Sequence, residues 1–220
     1  MPAPAPAVRE ARRQELVAAC RTIFDTRGVA EAPVEEIARA VGIARGLIYR
    51  EFTAKEELIV LTIAGYLAEL AALNADVVAA GADPLARLDG IVTAYTGFCA
   101  RHPAFLDGQI GLMRRPAGEL RTLVSAEVWR ALGDGMAGCL GPLVDAIAEG
   151  DAIGTFAVED PELTANLVWT QLLGAMHLAR IGVGVRRTAD GAPALFAVGR
   201  EQVRLACVAS ARATVGAARP

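Results

Sequence analysis

Twenty-six residues, PVEEIARAVGIARGLIYREFTAKEEL from Pro33 to Leu58, constrain this chain more than any other part of it. Val34, Ile37, Ala38 and Val41 recur at i, i+3, i+4 and i+7, which marks one apolar face of a helix. Pro33 suits the first helical position, where its missing N–H costs nothing. Glu35 and Glu36 fall in the first turn, where the helix dipole favours negative charge. Gly42 is placed to end this helix with a positive φ, and Ile43 plugs the turn. The segment from Arg45 to Phe52 is too short to be a stable helix alone. It must lean on its neighbours through Leu47, Ile48 and Phe52, which leaves Arg45, Gly46, Tyr49 and Arg50 on the outer face. Thr53-Ala-Lys-Glu56 reads as a capping box, so a further helix is expected from Thr53. Lys55 then sits near a helix N-terminus, which favours phosphate. Two short helices around a glycine turn, with a third behind them, are the layout of a helix-turn-helix unit. In that unit the second helix enters the major groove of DNA and the first crosses the phosphate backbone.

Upstream, Leu16, Ala19, Cys20, Ile23 and Phe24 are helically spaced, and Gly28 closes that helix. Arg9, Arg12 and Arg13 cluster at its start, either as a solvated face or as phosphate contacts beside the groove reader. Residues 9–60 resemble the DNA-binding domain of the TetR (tetracycline repressor) family of bacterial transcription regulators. The resemblance is carried by Ile23-Phe24 with Gly28, by Val34-Glu-Glu-Ile37-Ala38 and by Val41-Gly42-Ile43. It continues through Arg45-Gly46-Leu47-Ile48-Tyr49-Arg50 and closes with Phe52-Thr-Ala-Lys55-Glu56-Glu57-Leu58. It implies that Gly46, Tyr49, Arg50 and Lys55 approach DNA, Tyr49 and Lys55 on phosphates. It also implies a homodimer that pairs its last two helices and binds a small molecule in its C-terminal domain. The expected DNA-binding set is Arg45, Gly46, Tyr49, Arg50, Thr53 and Lys55, with Arg12 and Arg13.

Three positions depart from the family pattern. Ala32 and Pro33 stand where hydroxyls usually precede Val34, and Ala44 stands where Ser or Thr often precedes the recognition helix. Glu51 stands where the family often has His or another uncharged residue. A lost cap is worth roughly 1 kcal/mol, and Glu51 would add negative charge near DNA, so weaker or more sequence-dependent binding is expected.

The net charge of −3 argues poorly for a nucleic-acid partner if read over the whole chain. Residues 1–60, however, hold nine basic and nine acidic residues, so the negative excess lies in the remainder. The head must rely on a locally basic face, with a salt slope of roughly −0.9 per phosphate neutralised. The start, MPAPAPAV, lacks the basic and apolar regions of a signal peptide. It reads as an extended, disordered tail over 1–8. No apolar stretch looks fit to span a bilayer, so a cytoplasmic protein without a membrane partner is expected. Cys20, Cys99, Cys139 and Cys207 are far apart and form no C-x-x-C pair. They read as buried thiols rather than a metal or disulfide set.

Beyond residue 60 the chain reads as helices throughout, with no alternating strand. The breaks fall at Gly81-Ala-Asp83-Pro84, His102-Pro103, Pro116, Gly150–Val158 and a Gly-rich link from Gly182 to Pro193. A longer helical region is expected over Ala117–Glu149, another helix opens at Asp160-Pro161, and the last starts at Ala194. The expected fold is all-α: an N-terminal three-helix helix-turn-helix domain over 9–60, and a larger helical bundle over 61–220 for ligand binding and dimerisation. Leu163–Ile181 and Leu195–Ala211 are apolar over more than one stripe, with Gly174, Ala175, Ala206 and Ala209 permitting close approach, as at a dimer seam. Phe98, His102, Phe105, Gln109, Met113, Trp129, Met136 and Trp169 supply aromatic and Met surface with a few polar groups. That is the make-up of a cavity for a small, largely apolar ligand.

Gly133-Asp-Gly135-Met-Ala-Gly138 spells the dinucleotide fingerprint, which requires a preceding strand and a βαβ unit. Helical spacing through Leu132, Met136, Cys139, Leu140, Leu143, Val144 and Ile147 argues instead for a kink or a tight helix crossing. Two distant histidines and no G-x-S-x-G leave no catalytic constellation. The expectation is a repressor, not an enzyme, with no metal and no cofactor. As a homodimer it binds a palindromic double-stranded operator with half-sites roughly 10 bp or somewhat more apart, and a small-molecule effector releases it. The alternatives are a small-molecule binding protein with an impaired helix-turn-helix and, more remotely, a dinucleotide-dependent oxidoreductase.

Overall fold

The computed structural model describes residues 6–28, 34–81 and 83–217. The first helix, α1 (Pro6–Arg27), buries Leu16, Cys20, Ile23 and Phe24. Gly28 closes it at φ 87°, its N–H on the Phe24 carbonyl. Residues 6–8, expected within a disordered tail, form its first turn; residues 1–5 and 29–33, with Ala32 and Pro33, lie outside the described residues. Next come α2 (Val34–Ala40), α3 (Arg45–Glu51) and α4 (Lys55–Ala79). Gly42 takes a φ of 72° in the α2–α3 turn. α4 is followed by α5 (Pro84–Arg101), α6 (Pro103–Met113), α7 (Ala117–Leu123) and α8 (Ala126–Ala152). α9 (Pro161–Ile181) opens where expected, at Asp160-Pro161, with Asp160 accepting the Leu163 N–H at 2.9 Å. α10 (Arg200–Thr214) is the last element.

The helical region expected over Ala117–Glu149 is two helices, α7 and α8, because the chain turns at Val124-Ser125. Three expectations need correction. The region after Gly182 is not a link but an antiparallel hairpin of β1 (Val183–Arg187) and β2 (Pro193–Ala197), with Val185 opposite Leu195. Val183, Val185 and Leu195 share one face of its strands, Asp190-Gly191 builds its turn, and Gly191 takes φ 83°. The last helix therefore starts at Arg200 rather than Ala194. Finally, α4 is long and apolar enough to pass as a membrane span by length and composition. Val60, Ile63, Tyr66, Leu67 and Leu70 are nonetheless buried within the protein, as in a core helix.

By internal contacts the chain forms two compact units, residues 1–67 with 102–136 and residues 68–101 with 137–220. In the first, Val60, Leu120, Val124 and Val128 make a buried cluster flanked by Leu112, Trp129 and Leu132. In the second, α5, α9 and α10 pack on one another, with Tyr95 edge-on to Trp169 at 4.8 Å and Arg212 paired with Asp89. Gly135 and Gly138 lie inside α8, with no strand before them. A Cβ on Gly135 would meet Leu67 at 3.0 Å, and one on Gly138 would meet Ala71 at 3.2 Å. These glycines serve close helix approach rather than a pyrophosphate.

Candidate DNA-binding and effector sites

The three-helix head is held by Leu16, Cys20, Ile23, Phe24, Val34, Ile37, Ala38, Ile48 and Phe52, all buried. α3 is short, so this packing decides its orientation. Its inward side carries Ile48, and its outward side carries Arg45, Gly46, Tyr49 and Arg50, all exposed. Tyr49 is 47% exposed. Arg45 pairs with Glu35 at 2.6 Å and lies over the Tyr49 ring at 5.8 Å. A hydrogen bond with Tyr49 and the Glu35 charge hold its proton more tightly than usual. Thr53 is exposed and Lys55 half-buried at the start of α4. The two helix starts and the outer row of α3 thus bring together six of the eight expected DNA-binding residues.

Arg12 and Arg13 are used differently. Arg13 Nη1 donates to the Glu51 carbonyl at 2.9 Å, and its guanidinium lies 5.0 Å from the Phe52 ring. Arg12 reaches the Glu51 carboxylate at 3.8 Å. These arginines fasten α1 to the end of α3 instead of facing outward. Glu51 is only 6% exposed, so it does not add charge to the reading face; it answers the two arginines. Ala44 does leave α3 without a side-chain cap.

The capping expectation is displaced. α4 starts at Lys55, two residues after Thr53, so Glu57 rather than Glu56 reaches back to the Thr53 N–H, at 2.7 Å. The other oxygen of Glu57 accepts the Ser125 N–H at 2.6 Å, between α7 and α8. Burial pushes this carboxyl up, but the bonds from Ser125 and Thr53 outweigh it and hold it below its ordinary range. Glu56 instead pairs with Arg115 at 3.5 Å. A second clasp joins Tyr66 Oη, which donates to Asp25 at 2.6 Å, with Arg21 stacked 4.3 Å over the Tyr66 ring. Burial and the Asp25 charge push the Tyr66 phenol up. Sequence reading missed both clasps. Only the position of Glu57 in the first turn hinted at the first, and nothing local marked the pairing of residues 25 and 66.

The expected effector residues are spread over both units. In the second unit, Phe98 is buried and Trp169 packs on Tyr95. In the first, His102 precedes α6, with Nδ1 3.9 Å from Asp25 and its ring 5.6 Å from Tyr66. Phe105 is buried and reaches the same tyrosine at 5.7 Å. Gln109 is buried and its Nε2 has no hydrogen-bond partner. Met113 is 61% exposed, because α6 ends there and its side chain points to solvent, so it is removed from the expected set. Trp129 belongs to the Val60 cluster and lines a recess with Arg121, Ala126 and Arg130; Met136 is half-buried. A groove of about 370 Å³, lined by Gln14, Val17, Arg21, Leu61, Thr62 and Glu127 among others, includes none of the expected effector residues. Among the described residues no group of three His, Cys, Asp or Glu side chains could hold a metal ion. The four thiols are buried, and burial pushes Cys20 up to about 11 and Cys99 and Cys139 up to about 12. They are protonated and unreactive.

The head geometry is that of a helix-turn-helix regulator. The family profile "Bacterial regulatory proteins, tetR family" matches residues 16–61. The HTH-type transcriptional repressor KstR2 of Rhodococcus jostii (strain RHA1) is 33% identical over 118 residues, 53% of this chain and 58% of that protein. The chain thus spans little more than half the length of this relative. The solved structure of the ketosteroid transcriptional regulator KstR2 of Mycobacterium tuberculosis has a TM-score of 0.62 at 23% identity, covering 94% of this chain and 96% of the other. That of RolR in complex with resorcinol has a TM-score of 0.68 at 17% identity, covering 97% and 92%. Residues 16–61 thus match the DNA-binding domain of the tetR family of bacterial regulatory proteins.

Proposed function

We propose that this chain is a ligand-responsive transcriptional repressor of the bacterial cytoplasm. Its head over 9–60 binds a palindromic operator, and residues 61–220 bind an effector and form a homodimer through α9 and α10. The observation that carries this reading is the outer row of α3. Arg45, Gly46, Tyr49 and Arg50 stand exposed on a short helix that packs on α1 and α2. Arg50 is the base-reading candidate, and Tyr49, Thr53 and Lys55 are the phosphate-facing ones. The burial of Glu51 weighs against an impaired head.

The effector reading rests on Gln109. A buried amide N–H without an acceptor costs about 1–3 kcal/mol, and a ligand oxygen placed there would recover it. Together with Phe105 one turn away, this favours an apolar, oxygen-bearing ring compound. The relatives point the same way, one being described as a ketosteroid regulator and one solved with resorcinol. Release of DNA then requires the effector to bind the DNA-incompetent arrangement more tightly, and that preference sets the size of the response.

The test is fluorescence anisotropy of the protein on its own upstream intergenic DNA over a salt series, followed by addition of a ketosteroid or resorcinol. Salt-sensitive binding that survives excess nonspecific DNA is expected. Arg50→Ala should weaken it by roughly tenfold or more, as expected for a lost base contact, while leaving effector binding intact. Binding no tighter than to random DNA at every salt concentration would sink the operator reading.

A further inference from the structure

Exposed apolar side chains are unevenly distributed in the second unit. Leu163, Leu167, Leu178 and Ile181 run along the outer side of α9, each 42–56% exposed. The run continues past the helix onto the hairpin, where Val183, Val185 and Leu195 are 44%, 72% and 70% exposed. The register sets Val183 opposite Ala197, Val185 opposite Leu195 and Arg187 opposite Pro193, so these residues share one face. The other face is already occupied by Phe196, whose ring covers Gly184 and lies under Arg186 at 5.9 Å.

The hairpin is a built element. Thr188 N–H donates to the Ala192 carbonyl at 2.9 Å, Thr188 Oγ1 donates to Asp190, and Val198 N–H donates to the Gly182 carbonyl at 2.9 Å. An ordered two-stranded ribbon with an apolar open face is marginal alone and prone to association.

Charge indicates what covers it. α9 opens with Glu159, Asp160 and Glu162, all exposed beside Leu163, whereas the apolar face of the hairpin ends in the cation Arg187. A 21-residue helix is about 31 Å long. Two copies of α9 paired about a two-fold axis near Gln171 run antiparallel, and each C-terminal end meets the partner's N-terminal end. The hairpin, which leaves the C-terminal end, then lies over the acidic start of the partner's helix.

We infer that the β1–β2 hairpin is a dimerisation arm that seats on a second copy of this chain. Val185 and Leu195 cover Leu163 of the partner subunit, and Arg187 faces Glu162 of the partner subunit. This rests on the reading of the chain as a homodimer through α9 and α10.

Sedimentation of the full chain over a concentration series tests it. Val185→Asp with Leu195→Asp should raise the dimer dissociation constant about tenfold or more, since two apolar contacts are replaced by buried charge. Both residues are exposed in the protomer, so folding, read by circular dichroism, should be untouched. Arg187→Glu should weaken the dimer a few-fold, and adding Glu162→Arg should restore it, as for a partly exposed pair. If these variants dimerise as the parent does while Leu167→Asp gives monomers, the arm is overturned and the helix pairing stands. Failure of the charge exchange to restore association overturns the antiparallel seating. A parent chain monomeric at all concentrations overturns the arm together with the dimer reading.

Discussion

The head and the first turns of α6 treat buried polar groups in opposite ways. In the head, Glu51 answers Arg12 and Arg13, Glu57 accepts two backbone N–H groups, and Thr62 donates to the Leu58 carbonyl at 2.8 Å. In α6, Gln109 is as buried as Glu51, yet its Nε2 meets no acceptor. Fully satisfied polar contacts make a rigid frame that presents α3 in one orientation. An unsatisfied donor is a place that a water or a ligand can complete. On the proposed reading, the comparison sets a reader, which gains from being fixed, against a sensor, which gains from being incomplete.

The hardest blow to the head should come from Glu57. Replacing it with Ala strands the N–H groups of Thr53 and Ser125 and removes bonds to a charged acceptor, at about 3 kcal/mol or more. Urea unfolding at neutral pH measures this, and a change below about 0.5 kcal/mol would place Glu57 among ordinary surface residues. The pH dependence has a definite sign. The folded carboxyl titrates below its ordinary value of 4.5. Its stabilisation is therefore complete above that value and lost as pH falls through the lowered folded value. Glu57→Gln should flatten the acid limb of the stability curve in that window and leave its alkaline limb unchanged.

Gln109 tests the other side of the comparison with a smaller effect. Gln109→Leu keeps the volume and removes the stranded amide, so the melting temperature should hold or rise. Affinity for an oxygen-bearing effector that uses this donor should fall about tenfold, the equivalent of one hydrogen bond. Isothermal titration with the effector that releases operator DNA measures the loss. A destabilised Gln109→Leu would mean that the amide already has a partner, and the contrast between the two regions would disappear.

How much of this was legible in the sequence follows from the range of the interactions. Helix spacing, Gly28, Gly42 and the helix start at Asp160-Pro161 are local, and the structure realises each where the residues announce it. The outward row of α3 is also local, being what remains when Leu47, Ile48 and Phe52 turn inward. Arg12, Arg13 and Glu51 were misjudged because their partners stand 38 or more residues away, and a charged residue reads as exposed unless its partner is known. The hairpin was missed because Gly182, Gly184 and Gly191 look like a linker until Val185 is seen to pair with Leu195, and Gly184 with Phe196, across Asp190-Gly191. The effector residues were the least legible. Aromatic and Met side chains spaced along a helix fill a core and line a cavity with the same pattern, and Met113 satisfies neither.

The smallest effect tests a place in the head where a described helix start lacks a side-chain cap. Ala44 holds an extended N-cap geometry, φ −71° and ψ 141°, but offers no side-chain acceptor to the first turn of α3. Ala44→Ser supplies that acceptor without moving the backbone, since Ser favours the same conformation. The gain should be about 1 kcal/mol in head stability, and operator affinity should tighten a few-fold if fraying of α3 limits binding. Anisotropy on the operator and a thermal melt of the same variant separate the two quantities. A raised melting temperature with unchanged affinity would mean that Arg12, Arg13 and Glu51 already fix α3, so the reader owes its rigidity to its C-terminal end alone. Tightened affinity would show that even a head so well satisfied elsewhere loses binding through one missing bond at the end that meets DNA.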